Sequence, residues 1–385
     1  PEGALVTFDI VVRNLGVGHG FPGGTVDSNQ GWLEVTLSDS TGGTLATNGH
    51  LDSLGYLDPD AHVYGALFVD SAGRPIDRRN PQDVRATVFS NVIGPGSADL
   101  AHYRLRIPSE PGRYQLRVRL LWRKFNRAYS EFVHDGVPEA FPGLPGALTL
   151  PVTVVAEDVL SFRVDDTAGT GGSFVAGSTG SWTRYNDYGI ASLREGRTTN
   201  ARRAFTRVDR MEPTRPDGPL NLARSALADG DVAVALNHLE EAERRAPGGG
   251  TVAWLWGQAW LADGQYDRAA AAYRRALSQF PRHRASLMGL GRTLYLDGQF
   301  EAAVDVLADL LAIDPEHRAA WYHRMLSAAA LGREAEAAEA GAMVEYLQVD
   351  ESSRRLTQDI RLSEPGVNRM SQSVRTYDLT PGDLE

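Results

Sequence analysis

The 385-residue chain contains no cysteine. That absence excludes disulfides, thiolate nucleophiles, cysteine-based zinc sites, iron–sulfur clusters and covalent haem through C-x-x-C-H. Lysine is almost missing as well. Lys124 stands alone among 39 basic side chains, and the rest are arginine. Coding bias in a GC-rich genome accounts for this without a functional reason. No apolar run approaches the ~18 residues of a membrane helix, so no membrane span is expected. Positive charge is in deficit: the formal net charge is −10 and the pI about 5.5. Nucleic-acid binding, whose footprint is usually basic, is not expected. No Asn-x-Ser/Thr sequon occurs. The signatures G-x-S-x-G, H-E-x-x-H and the Walker loop are missing too, and no G-x-G-x-x-G stands between a strand and a helix. The chain starts at Pro1 and enters a strand pattern almost at once. Processing of an N-terminal segment, or origin in a longer polypeptide, is expected from this.

What is present is ordinary globular material, with 42% apolar and 23% charged residues. At roughly 100–200 residues per domain, two or three domains are expected.

The second half repeats itself. Gly196, Gly230, Gly264, Gly298 and Gly332 are spaced by 34 residues, and so are Ala201, Ala235, Ala269, Ala303 and Ala337. Pro213, Pro247, Pro281 and Pro315 keep the same period, with Val349 in the fifth place. Phe205, Leu239, Tyr273 and Leu307 each follow an alanine by four residues. This is the period of the tetratricopeptide repeat, a helix–turn–helix unit. Five units are expected over 182–351, more than the roughly three needed to bury a continuous core. Glycine fits the turn between the two helices, the small alanine lets them approach, and proline ends the second helix. A polar helix over 352–363 is expected to cap the solenoid, and 364–385 to form an extended tail.

Residues 1–165 alternate with period two. Val6, Phe8, Ile10 and Val12 make one such row; Tyr114, Leu116, Val118, Leu120 and Trp122 make another. Seven or eight short strands with turn residues between them predict an antiparallel β-sandwich of immunoglobulin-like type. A Pro/Gly-rich loop is expected at 134–147. A Gly/Ser/Thr-rich linker is expected over 166–181.

The segment VVRNLGVGHGFPGGTVDSNQGWLEV, with DPDAHVYGALFVDSAGRPIDRRN, IGPGSADLAHYRLRIP and WTRYNDYGIASLREG, resembles a module of tetratricopeptide-containing multihaem c-type cytochromes. In that family the haem motifs precede the β-module, and this chain contains none. The resemblance implies an extracytoplasmic location, whether periplasmic, cell-surface or secreted, and an association with electron transfer. It also implies that His19, in GHGFPGG, is a candidate axial ligand to haem in a preceding domain. The bland alternative is that His19 bonds backbone and shapes a tight turn.

Asp27 and Asn29 are candidate calcium ligands by their oxygens, although Asp27-Ser28-Asn29 lacks the glycine and distal glutamate of an EF-hand loop. His50, His62, His102 and His134 are scattered, and their spacing points to no common site. In the repeats, the lining positions of the first helix hold Asn186, Arg194, Arg224, Trp254, Gln258, Met288, Arg292, Tyr295 and Tyr322. Aromatics and arginine are enriched at protein-binding hot spots. The expectation is a non-catalytic scaffold for protein partners or further copies of itself, a homo-oligomer able to extend into a filament. The alternative is the haem-free part of an electron-transfer cytochrome.

Overall fold

The structure is a computed structural model and describes residues 4–134, 150–164, 181–348 and 350–381. The expected 134–147 loop and 166–181 linker fall almost wholly outside these residues, as does Val349. The chain divides into two compact units, one made of 1–180 with 351–385 and the other of 181–350.

The first unit carries strands β1 (Leu5–Arg13), β2 (Gln30–Asp39), β3 (Thr44–Asn48), β4 (Val63–Val69), β5 (Ala86–Asn91), β6 (Ala98–Arg106) and β7 (Gly112–Arg123). Helix α1 (Arg127–His134) and strand β8 (Thr153–Val164) follow. β2 is the hub. Along one side it pairs with β7, which pairs with β8; along the other it pairs with β3 near its C-terminal end and with β4 near its start. A smaller sheet begins with β1 antiparallel to β6. The two sheets share one core. Leu33, Val35, Leu37 and Leu116 come from the larger sheet, and Ala101, Tyr103 and Leu105 from the smaller. The period-two rows read from the sequence are the rows that meet there, because successive strand side chains point to opposite faces.

The C-terminal residues change the expected plan. Helix α12 (Glu351–Ser363), helix α13 (Pro365–Ser371), strand β9 (Thr376–Asp378) and strand β10 (Thr380–Pro381) belong to the β unit. The cap expected at 352–363 instead lays Leu356 and Ile360 against buried Val69, Ala86 and Val88. Arg85 donates to the Ser352 hydroxyl at 2.9 Å. The expected extended tail is ordered through Pro381. β9 pairs parallel with β6, and β10 pairs antiparallel with β3, so one segment edges both sheets. The strand order therefore departs from the immunoglobulin-like, all-antiparallel pattern. The helix is there as expected, but it carries Leu356 and Ile360 one turn apart, and their counterpart is a sheet.

The second unit is ten helices among the described residues: α2 (Trp182–Arg194), α3 (Thr198–Met211), α4 (Asp217–Ala228), α5 (Val232–Arg245), α6 (Gly250–Ala262), α7 (Tyr266–Gln279), α8 (Arg284–Leu296), α9 (Phe300–Ile313), α10 (Arg318–Ala330) and α11 (Glu334–Tyr346). They fall into five pairs that follow the repeat. At Gly230 φ is +77°. The Gly230 amide bonds the Leu227 carbonyl and the Asp231 amide bonds that of Ala226, which is a Schellman turn. The equivalent glycines of the other units share this positive φ. Ala201, Ala235, Ala269 and Ala303 are fully buried. So are Phe205, Leu239 and Leu307, and Tyr273 nearly so. No helix among the described residues is long and apolar enough to cross a membrane.

Candidate functional site

The first helices of successive units (α2, α4, α6, α8 and α10) touch one another in order. In a curved stack the inner side is the more closely spaced, so these helices line the concave surface.

Their side chains divide into structural and available ones. Asn186 is buried and accepts a 2.8 Å hydrogen bond from the Asn221 amide. The Asn221 oxygen in turn accepts from Arg224 at 2.8 Å. Asn186 and Arg224 are thus joined across units 1 and 2 by a residue that the sequence reading passed over. Arg194 is exposed. Trp254 is half-buried, packs against the cluster of Ala223, Leu239, Leu255 and Ala259, and stands edge-on to His283 at 5.7 Å. Gln258 and Met288 are half-buried as well.

In units 4 and 5 the structure brings several residues together. Tyr295 lies 5.7 Å from the His323 ring, and Tyr322 lies 5.6 Å from the same ring. Tyr322 is 45% exposed. Arg292 is exposed one turn before Tyr295, and among the described residues its guanidinium has no ion-pair partner. Burial pushes the His323 imidazole below the usual histidine range, and the Arg292 charge pushes it further. Burial also raises the Tyr273 phenol, while Arg292 pulls it part of the way back. His323 Nδ1 is buried and unpaired within the described structure. The group therefore presents the Arg292 cation and the exposed Tyr322 ring, with Tyr295 half-buried and the His323 Nδ1 beneath the surface. This chemistry suits a carboxylate or carbonyl beside an aromatic or aliphatic side chain. The signal for His323 was a polar residue at the repeat position that holds buried Leu255 in unit 3.

In the β unit His19 is exposed, and its Nδ1 lies 2.8 Å from the Gly20 carbonyl. Asn14 ties this loop down by donating to the His19 and Ile93 carbonyls, each at 2.9 Å. Asn29 donates to the Gly23 carbonyl at 2.9 Å, and Asp27 is half-buried nearby in sequence. Among the described residues no three His, Asp or Glu side chains converge to hold a metal.

Two histidines that the spacing left apart do find acids. His102 meets Asp9 at 2.6 Å, and His62 Nε2 meets Asp99 at 3.1 Å. His62 is completely buried. Arg375, from the C-terminal segment, donates to both oxygens of Asp99 at 2.9 and 3.0 Å. Burial holds the His62 imidazole low; Asp99 opposes this and the Arg375 charge adds to it. Its neighbours are aromatic rings, Tyr64 at 4.8 Å and Tyr377 at 5.2 Å. A fully buried imidazole with its carboxylate clamped by arginine has no path to a substrate, so the trio reads as a fastening within the core.

Comparison with known proteins bears on the helical unit. Residues 220–282, 255–316 and 290–347 each match the pattern described as the tetratricopeptide repeat. Among solved structures, MamA from Desulfovibrio magneticus RS-1 is 20% identical, with 44% of this chain and 97% of that one covered at a TM-score of 0.41. MamA MSR-1 is 22% identical, with 43% and 95% covered at 0.39. A third MamA crystal structure is 17% identical, with 48% and 94% covered at 0.39. No curated protein matches the chain.

Proposed function

We propose that the chain is a non-catalytic scaffold that holds extended segments of other proteins on the concave surface of its repeats. Support comes from the repeat units and from the group Arg292, Tyr295, Tyr322 and His323. That group leaves a cation unpaired and a tyrosine half in solvent on the surface where first helices converge. Further copies of the chain count among the proposed partners. A heterologous contact between copies that fails to close would extend into a filament, which electron microscopy of the purified chain would show.

The test is selection of a random peptide library on the full chain. Counter-selection uses a variant carrying Arg292→Glu and Tyr322→Ala. Both side chains are exposed, so the fold is expected to survive. Acidic peptides enriched by the parent and lost by the variant support the proposal. Absence of enrichment, or equal capture by both, sinks it. An extracytoplasmic location rests on the resemblance of the β segment alone, and fractionation of cells carrying a tagged chain tests it.

A further inference from the structure

The segment Arg375–Asp378 fills a groove that the rest of the β unit leaves open beside β6. Its side chains alternate. Arg375 and Tyr377 point inward, at 4% and 1% exposure, while Thr376 and Asp378 face out. Each inward residue has a fitted receptor. Arg375 takes both oxygens of Asp99. Tyr377 packs against the Tyr103 ring at 5.4 Å and the His62 ring at 5.2 Å. The backbone is read as well: the His102 amide donates to the Arg375 carbonyl at 3.1 Å, and the Leu379 amide donates to the Arg104 carbonyl at 3.2 Å. Outside, Arg104 grips Asp378 with two bonds of 2.7 and 2.6 Å.

This is strand addition at a sheet edge, with main-chain bonds for affinity and alternate side-chain pockets for specificity. The receptor and the strand lie in different stretches of the chain, with the compact unit Ser181–Asp350 between them in sequence. Nothing in the bonds requires the two parts to belong to one polypeptide. An empty groove would cost Asp99 its guanidinium and open the Tyr103 and His62 rings to water, so the groove favours being filled. Every copy carries the matching strand.

We infer that the β6 groove is a strand-exchange site whose second occupant is the Arg375–Asp378 segment of another copy of this chain. Exchange joins copies through a contact already shown in one chain, and effective concentration decides between own and foreign strand. The partner it fits is a parallel strand with arginine, a spacer residue and tyrosine.

The absence of native cysteine makes the test clean. Arg104 and Asp378 face each other across the β6–β9 register, and their side chains are 46% and 55% exposed. One preparation carries Arg104→Cys, and a second, labelled with heavy nitrogen, carries Asp378→Cys. The two full-length chains are mixed at high concentration, partly unfolded in urea, refolded and oxidised. Strand exchange predicts a disulfide-linked dimer whose cross-linked peptide joins position 104 of the light chain to position 378 of the heavy one. Its yield should fall at least tenfold on hundredfold dilution before refolding. A chain carrying both substitutions reports closure within one copy. If that chain cross-links as a monomer while the mixture yields no 104–378 peptide between copies, the inference is overturned.

Discussion

Met325 and Gly341 reverse the sizes that four earlier units assign to the same two positions. In those units the first helix carries a small residue and the second a large one: Gly189 with Phe205, Ala223 with Leu239, Gly257 with Tyr273, Gly291 with Leu307. A Cβ at Gly189 would lie 2.4 Å from the Phe205 ring, and one at Gly257 or Gly291 would lie 2.6 Å from Tyr273 or Leu307. In the fifth unit the large side chain comes from the first helix, and a Cβ at Gly341 would lie 3.4 Å from Met325 Sδ. The gap between paired helices is conserved in volume, not in which helix fills it.

Gly341→Leu is therefore expected to overpack this gap and cost about 1–3 kcal/mol. Adding Met325→Ala restores the arrangement of the other units and should recover most of that loss. Urea unfolding followed by helical circular dichroism gives the coupling energy. Additive effects of the two substitutions would refute the volume argument.

The turn glycines make a second prediction. Gly298 sits at φ +77° and closes the turn between α8 and α9. A Cβ there meets open space, so Gly298→Ala is penalised only by the backbone, by about 1–2 kcal/mol. The same change at Gly366 in α13, where φ is not left-handed, should be neutral or slightly stabilising. Thermal melts of the two variants separate the cases.

Removing the guanidinium from Arg375 strips a buried carboxylate of two hydrogen bonds. Arg375→Ala is expected to weaken the β unit by about 3–5 kcal/mol. Hydrogen exchange should rise in 372–381 and along β6, and the helices of 181–350 should keep their protection. Uniform loss across both units would contradict the division described above.

His62 makes the same fastening sensitive to acid. Burial lowers its pKa from the ordinary value of 6.5, so the native state resists a proton that the unfolded chain accepts. The neutral ring contributes full stability above about pH 6.5. That contribution is lost as pH falls from there toward the native pKa, because the unfolded state then binds more protons. His62→Gln, which keeps a donor for Asp99 without titrating, should flatten the stability of the β unit between pH 7 and 5. An unchanged slope, read by hydrogen exchange of β6 and β9, would assign the acid response to other groups.

The repeats were legible because one period governs glycine, alanine and proline together, and each mark has a local cause. The Schellman turn at Gly230 needs only its own neighbours. The β rows at Val6–Val12 and Tyr114–Trp122 were legible for the same reason. The role of the C-terminal segment was not, since Leu356 and Ile360 fit a helical surface as well as a sheet. Only the distant Val69, Ala86 and Val88 decide between them. The proposed binding group was half legible. Arg292, Tyr295 and Tyr322 stand at lining positions, but Asn186 and Trp254 at equivalent positions are used by the solenoid itself. His62, Asp99 and Arg375 span 313 positions of sequence with no spacing rule to connect them.

A ribosome delivers this chain in an awkward order. Strands β1 to β8 emerge first, yet the edge that Arg375 and Tyr377 cover stays bare while the whole of Ser181–Asp350 is translated. At usual elongation speeds that interval is on the order of ten seconds or more. During it the helical unit has time to form, whereas the older half of the molecule stays unfinished. A nascent chain stalled anywhere in the repeats would expose the Asp99 carboxylate and the β6 backbone, so translation ending before Arg375 leaves a product that proteases can recognise.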